Sequence, residues 1–210
     1  MTARPSLTAR RKAATELEIA RTAATLFTER GPESTTAEDI AHSVGIALRT
    51  FYRYFPSKEE AVAPLLSSSV DAWLADLRAG EPTSGESVPR FLERSARRSL
   101  TPAGHEDEEA LEWTRSLVRS MATAPELRRV WDRVSRDAEE SLVPVLAGLV
   151  GPGADPLELR LASAAVNAAM RIAVETWAQS DTRDDTPADL AVRCIRELTA
   201  GLRLWNPAPA

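Results

Sequence analysis

Cysteine and histidine are almost absent from these 210 residues, with one of the first and two of the second. A lone Cys194 excludes an intramolecular disulfide and a cysteine-rich metal site, and it fits a reducing compartment. His42 and His105 leave little material for histidine-based catalysis or metal binding. No apolar run approaches the roughly 18 residues that span a bilayer, and the N-terminus lacks the basic-then-apolar pattern of a signal peptide. A cytoplasmic protein with no membrane partner is the expectation. Strand-like alternation of apolar and polar residues is also missing, as are internal repeats. The recognised enzyme patterns are missing too: there is no nucleophile–base pair and no phosphate loop. The acidic run Glu106–Glu109 beside His105 falls where a loop enters a helix, a place that favours acids anyway. No catalytic residue, no cofactor and no metal is therefore expected.

What is present is an ordinary globular composition, 43% hydrophobic, with a net charge of −5 and a pI near 5.3. That balance argues against a polyanionic partner until its distribution is considered. Residues 1–60 carry nine basic against eight acidic side chains, whereas the rest carries seventeen against twenty-three. Arg4, Arg10, Arg11 and Lys12 all precede the first acid, Glu16, and form either a DNA-directed arm or a solvated tail.

Turn-rich segments at Gly31-Pro32, Gly80–Gly85, Thr101–Asp107, Gly151–Pro156 and Ser180–Pro187 divide the chain into helix-sized pieces. Within the pieces, apolar residues recur three and four apart, as in Ile19, Ala23, Phe27 or Val62, Leu66, Val70, Trp73, Leu77. The fold class is all-α, with about nine helices near 10–30, 37–44, 48–54, 58–79, 87–100, 107–122, 125–149, 157–179 and 187–204. Pro64 would stand well inside the fourth of these and bend it. Such a kink is either a packing accommodation or a hinge.

The segment from Thr35 to Lys58, TTAEDIAHSVGIALRTFYRYFPSK, carries the functional signal. Thr35 with Glu38 matches a capping box for a short helix, and Gly45 supplies the permissive backbone of a tight turn before a second short helix. Two short helices joined in this way form a helix-turn-helix, whose second helix lies in the major groove of double-stranded DNA. On that helix Phe51 and Phe55 form the buried stripe. Leu48, Arg49, Thr50, Tyr52, Arg53 and Tyr54 are left to face outward, supplying hydroxyls and guanidinium groups suited to phosphate oxygens and guanine edges, and a Leu48 side chain suited to a thymine methyl. Ser57 with Glu60 matches a second capping box, which would set Lys58 at a helix N-terminus as a phosphate clamp.

The succession LFTERG, TTAEDIAHSVG, TFYRYFPSKEE resembles the DNA-binding domain of the TetR family of bacterial repressors over roughly residues 10–62. Thr36, Ile40, Ala41, Gly45, Thr50, Tyr52, Phe55 and Lys58 stand at the family's spacing. The resemblance implies that Thr36 opens its helix against a phosphate, that Tyr52, Tyr54 and Lys58 grip the DNA backbone, and that Arg49, Thr50 and Arg53 read bases. It also implies two domains, a DNA-binding one over 1–57 and an effector-binding and dimerising one over 58–210. Ala47 departs from the pattern, because many members cap the recognition helix there with serine or threonine.

In the second domain the helix near 157–179 is apolar on most of its circumference. Ala191, Cys194, Ile195, Leu198, Leu202 and Trp205 form a seam on the last helix, and together these helices would pair with their copies in a homodimer. Trp73, Phe91, Trp113, Leu117, Met121 and Trp131 lie on helices that surround an effector cavity in TetR proteins, and each could equally fill core. Ser163, Asn167, Arg171 and Glu175 form a polar stripe, more simply a solvent face than pocket anchors, from which Asn167 and Arg171 are the candidate pocket residues. The stretch from ATAPELRRVW to the AVETW of the eighth helix also resembles effector domains of members that bind acyl-coenzyme-A-like molecules, on residue spacing too common to name the ligand. The expected protein is a transcriptional regulator, a repressor released from operator DNA by a small, mostly apolar effector.

Overall fold

The computed structural model describes residues 6–181 and 185–205, all helix, turn or loop with no strand among them. Arg4 of the basic arm, part of the Ser180–Pro187 turn and the tail from Asn206 lie outside the described residues. The helices are α1 (Leu7–Arg30), α2 (Ala37–Val44), α3 (Leu48–Tyr54), α4 (Ala63–Ala79), α5 (Val88–Ser99), α6 (His105–Ser120), α7 (Pro125–Val150), α8 (Pro156–Gln179) and α9 (Pro187–Thr199). Every predicted helix is present, with differences at the ends.

Local chemistry explains the N-terminal boundaries. Ser6 caps α1 by accepting the Ala9 amide at 3.2 Å, so Arg10, Arg11 and Lys12 are ordered on a helix. Gly45 adopts φ +76° after α2, its amide bonds His42 O, and the Ile46 amide returns to Ala41 O at 2.9 Å. This paired closure requires a left-handed residue, which glycine adopts without a Cβ penalty. It turns the chain into α3, and Phe51, fully buried, and Phe55 close the core against Ile19, Ala23, Phe27 and Ile40.

Three boundaries differ from expectation. The capping box of α2 forms one residue later than predicted, between Thr36 and Asp39. Thr35 is instead fully buried, with Oγ1 2.9 Å from Gly31 O and 3.3 Å from Leu26 O. Both threonines precede an acid at the same spacing, and burial of one decides between them. The fourth helix starts at Ala63 after a 3-10 turn at Glu60–Val62, so Pro64 stands in the first helical turn, where its missing N–H costs nothing and no kink follows. The last helix stops at Thr199 rather than 204. Beyond it the chain folds back, and the Trp205 indole donates to Thr199 O at 3.0 Å.

The second domain is a helical bundle in which α4 packs on α5 and α7, α8 lies between α7, α6 and α9, and α5 packs on α9. Contacts of α1 with α4 and α6 join it to the N-terminal bundle. Polar ties fix the layers: Asp76 on α4 accepts from Ser95 at 2.6 Å and pairs with Arg98 on α5, and Glu93 pairs with Arg196 on α9 at 2.8 Å. No described helix is long and apolar enough to cross a membrane.

Candidate nucleic-acid interface and interior cavity

The outward face of α3 follows from its buried one. With Phe51 and Phe55 turned inward, Leu48, Arg49, Tyr52 and Arg53 are exposed, and Thr50 and Tyr54 are half-buried. The Tyr52 ring meets Phe51 edge-on at 5.5 Å, which stiffens its position. Tyr54 turns toward α1, where it shares a surface groove with Thr8, Arg11, Lys12, Thr15 and Arg53. That groove contains three cations and no acid, and it continues the α3 face onto the N-terminal helix. Ala47 caps α3 with no side-chain bond, as its identity dictates. The exposed Thr36 hydroxyl accepts the Asp39 amide at 3.0 Å and lies 2.6 Å from the Asp39 carboxylate, which also accepts the Thr36 amide at 2.8 Å. These bonds, the hydroxyl first and the amide second, hold the Asp39 carboxyl below its ordinary value.

Lys58 departs from its expected placement. Its ammonium donates to Pro32 O at 2.6 Å and Thr35 O at 2.8 Å, with the Glu59 carboxylate 3.8 Å away. It precedes a 3-10 turn and not an α-helix N-terminus, and of the Ser57–Glu60 box only the Glu60 amide to Ser57 Oγ bond is made, at 3.2 Å. The Glu60 carboxylate is drawn away to Arg133 on α7.

An apolar cavity of about 80 Å³ lies between α4, α5, α6, α7 and α8. Of the predicted pocket residues, Trp73, Trp131, Asn167 and Arg171 line it. Phe91, Trp113, Leu117 and Met121 do not. Phe91 is fully buried against Gly80, beneath the Arg94 guanidinium at 5.1 Å, and pins α4 to α5. Trp113 borders a separate groove with Leu17, Arg21 and Leu65, while Leu117 and Met121 are buried core on and at the end of α6. The apolar walls come instead from Leu66 and Val70 on α4, Leu111 on α6, Val134 and Ala138 on α7, and Met170 and Val174 on α8. Their spacing of three and four was visible in the sequence, but such spacing marks an inward face without saying whether that face meets core or space.

The polar stripe of α8 is not a plain solvent face. Ser163 is buried and donates to Glu139 O at 2.5 Å. Asn167 and Arg171, with Ser135 of α7, stand where the cavity meets a polar cleft between α7 and α8 that also holds Arg136, Arg160, Asp132, Glu139 and Glu140. Glu175 gathers the neighbouring donors: the Trp131 indole at 2.7 Å, Arg128 at 3.0 Å and Arg171 at 3.3 Å.

The expected seam on α9 is largely used inside the chain. Ala191 and Ile195 are fully buried, and Cys194, Leu202 and Trp205 are half-buried against the same core. Partial burial pushes the Cys194 thiol up, away from thiolate chemistry. Only Leu198 of the seam is exposed. The larger uncovered apolar stripe is on α8, where Leu157, Leu161 and Ile172 are 62%, 46% and 39% exposed. His105 and Glu106–Glu109 occupy the exposed start of α6, where Glu106, Asp107 and Glu109 border the same groove as Trp113.

Residues 19–63 match the profile of bacterial regulatory proteins of the tetR family. The chain is 28% identical over 176 residues to the HTH-type transcriptional regulator TcmR of Streptomyces glaucescens, an alignment covering 82% of this chain and 77% of TcmR. It is 44% identical over 57 residues to the HTH-type transcriptional repressor KstR2 of Mycolicibacterium smegmatis, covering 27% of either protein. The TetR family repressor AlkX of Dietzia sp. shares the fold, with a TM-score of 0.58 at 18% identity over 89% of this chain and 97% of AlkX. The chain thus carries the tetR-family DNA-binding domain at residues 19–63, aligns along most of its length with a transcriptional regulator, and is a DNA-binding transcriptional regulator with the all-helical fold of a TetR family repressor.

Proposed function

We propose that this regulator is a homodimeric repressor that reads a two-fold related operator through α3 and leaves it when a small, mostly apolar molecule enters the α4–α8 cavity. The observation that carries the reading is the position of α4. One face of α4 walls the cavity with Leu66, Val70 and Trp73, and its N-terminal end joins the Glu60–Val62 turn that packs on the DNA-binding bundle. A cavity of about 80 Å³ is far below the roughly 300–1,000 Å³ of ordinary ligand sites, so an effector of usual size must push α4 and α7 apart to enter. That displacement would reach the reading heads through the same turn. The division near residue 57 into reading and sensing parts then has residues 58–62 as its joint.

On DNA, Arg49, Thr50 and Arg53 are assigned to base edges, Leu48 to a thymine methyl, and Thr36, Tyr52 and Tyr54 to the phosphate backbone. The dimer is assigned to the exposed stripe Leu157, Leu161 and Ile172 of α8 with Leu198 of α9, an apolar surface that a soluble monomer rarely leaves open. The effector's class is lipophilic, and acyl-coenzyme A species remain candidates through the polar α7–α8 cleft beside the cavity mouth.

The test is reciprocity. Operator sites are selected from random duplexes with the purified protein, and a panel of lipophilic metabolites and acyl-coenzyme A species is titrated by tryptophan fluorescence with and without operator. Linkage demands that operator weaken ligand binding by the factor by which ligand weakens operator binding, with a coupling of about 1–3 kcal/mol. Saturable binding with identical affinity in both titrations would overturn the effector reading.

A further inference from the structure

Two indoles line the cavity, and their N–H groups have opposite situations. Trp131 donates to Glu175 at 2.7 Å. Trp73 is 3% exposed, yet its Nε1–H has no hydrogen-bond partner. Buried donors are almost always paired, and an unpaired one in a native core calls for an explanation. Among the described residues the other such group is the Arg115 Nε, but that side chain donates through its Nη2 to Ser180 O and stacks over Trp177. Trp73 has no second donor to compensate. The cavity that Trp73 lines is walled mainly by apolar side chains, Leu66, Val70, Leu100, Leu111 and Val174 among them, with Ser69, Ser99, Thr114 and Ser135 as the hydroxyls of its lining. None of these hydroxyls accepts from the indole, and Ser99 and Thr114 each donate to a carbonyl of their own helix at 2.9 Å.

Resting on the effector reading above, we infer that the Trp73 indole N–H is the donor that selects the effector, whose part inside the cavity is uncharged and mainly apolar and bears an accepting oxygen of the ketone, ester or ether kind. An acceptor costs an apolar ligand its hydration on entry, and only a waiting donor repays that. A carboxylate does not suit this end, because the one charged side chain in the lining is Arg171, at the mouth and already paired with Glu175. An ammonium or hydroxyl donor brought to Trp73 would face another donor. The cavity therefore discriminates by acceptor as well as by shape, and a site built around a donor rejects the analogue that lacks the acceptor.

The test uses the full-length dimer and two matched probes, 1-indanone and indane, which differ by one carbonyl oxygen. Each is titrated against wild type and Trp73→Phe by calorimetry, and the ratio of the two affinities is compared between proteins, which cancels the probes' different solubilities. The expected result is a fall in the indanone-to-indane preference by about threefold to tenfold in Trp73→Phe, the worth of a neutral hydrogen bond. On wild type alone, the Trp73 indole proton moves downfield and exchanges more slowly with indanone but not with indane, which keeps the inference testable if the variant fails to fold. Ala138→Leu, which narrows the same cavity, is the locator. Blocked binding of both probes in Ala138→Leu, with an unchanged ratio in Trp73→Phe and an unmoved indole proton, overturns the role of Trp73 and leaves the cavity reading intact. Absence of binding by either probe to wild type overturns both.

Discussion

Arg133 on α7 donates to the carboxylate of Glu60, at the turn that starts α4. Next to it and five residues on along α7, Val134 and Ala138 wall the cavity, and two residues before Glu60, Lys58 holds the loop between α1 and α2. The pair therefore ties the turn before α4 to α7 over a separation of 73 residues. Both side chains are partly exposed, so the pair is worth at most about 1 kcal/mol to stability. Arg133→Ala should leave the melting temperature within about 4 °C while reducing the inducer's effect on operator affinity by up to about fivefold. Unchanged coupling in DNA titrations with and without effector would remove the pair from the signal path.

Lys58 offers a decision between two roles. As a tether its loss leaves the Pro32 and Thr35 carbonyls short of a donor, at about 1–3 kcal/mol or roughly 2–10 °C of melting temperature, with the salt dependence of DNA binding unchanged. As a phosphate clamp its loss would leave stability alone and shallow the salt slope by about one charge. The two carbonyl bonds favour the first outcome for Lys58→Ala, measured by calorimetry and by anisotropy at several salt concentrations.

Arg53 is exposed on α3, its guanidinium 5.5 Å from the Tyr54 ring. Arg53→Ala should chiefly relax base preference, by about 1–3 kcal/mol at one position of each half-site, as lost bidentate guanine contacts do. Selection from random duplexes with wild type and variant would show it, and equal preference in both would place base reading elsewhere on the helix.

The α8 and α9 positions separate assembly from folding. Leu161→Glu with Leu198→Glu should give folded monomers that lose operator binding, because both side chains are exposed in the single chain. Ile195→Ala, fully buried, should instead destabilise the fold by about 2–5 kcal/mol. Light scattering and thermal melts distinguish the two, and a double glutamate variant that stays dimeric would locate the interface on another face.

Acid should reveal the cap of α2. The folded-state carboxyl of Asp39 is depressed below 3.8 by its bonds from Thr36, so its contribution is complete above pH 4 and is lost as pH falls through the lower, folded-state value. Asp39→Asn lacks that contribution. The stability gap between wild type and variant should therefore stay constant from pH 7 to about 4 and narrow below it. A gap that widens on acidification would contradict the sign.

The helix count, the glycine turn and the exposed face of α3 were legible in the sequence, because they depend on neighbours within a few residues: periodicity, a cap, a left-handed glycine. Shared patterns were not resolved at that range. Thr35 and Thr36 both stand three residues before an acid, and the burial of Thr35 under α1 assigned the cap to Thr36. The fate of long side chains was likewise decided by distant partners, as when Lys58 met the carbonyls of a loop 23 to 26 residues away. Phe91, Leu117 and Trp73 all read alike as apolar residues on inward faces. Only the packing of five helices made two of them core and left the third lining a cavity with an unmet N–H. A hydrophobic pattern specifies which side of a helix leaves water, and the fit between helices determines whether that side meets another side chain or space.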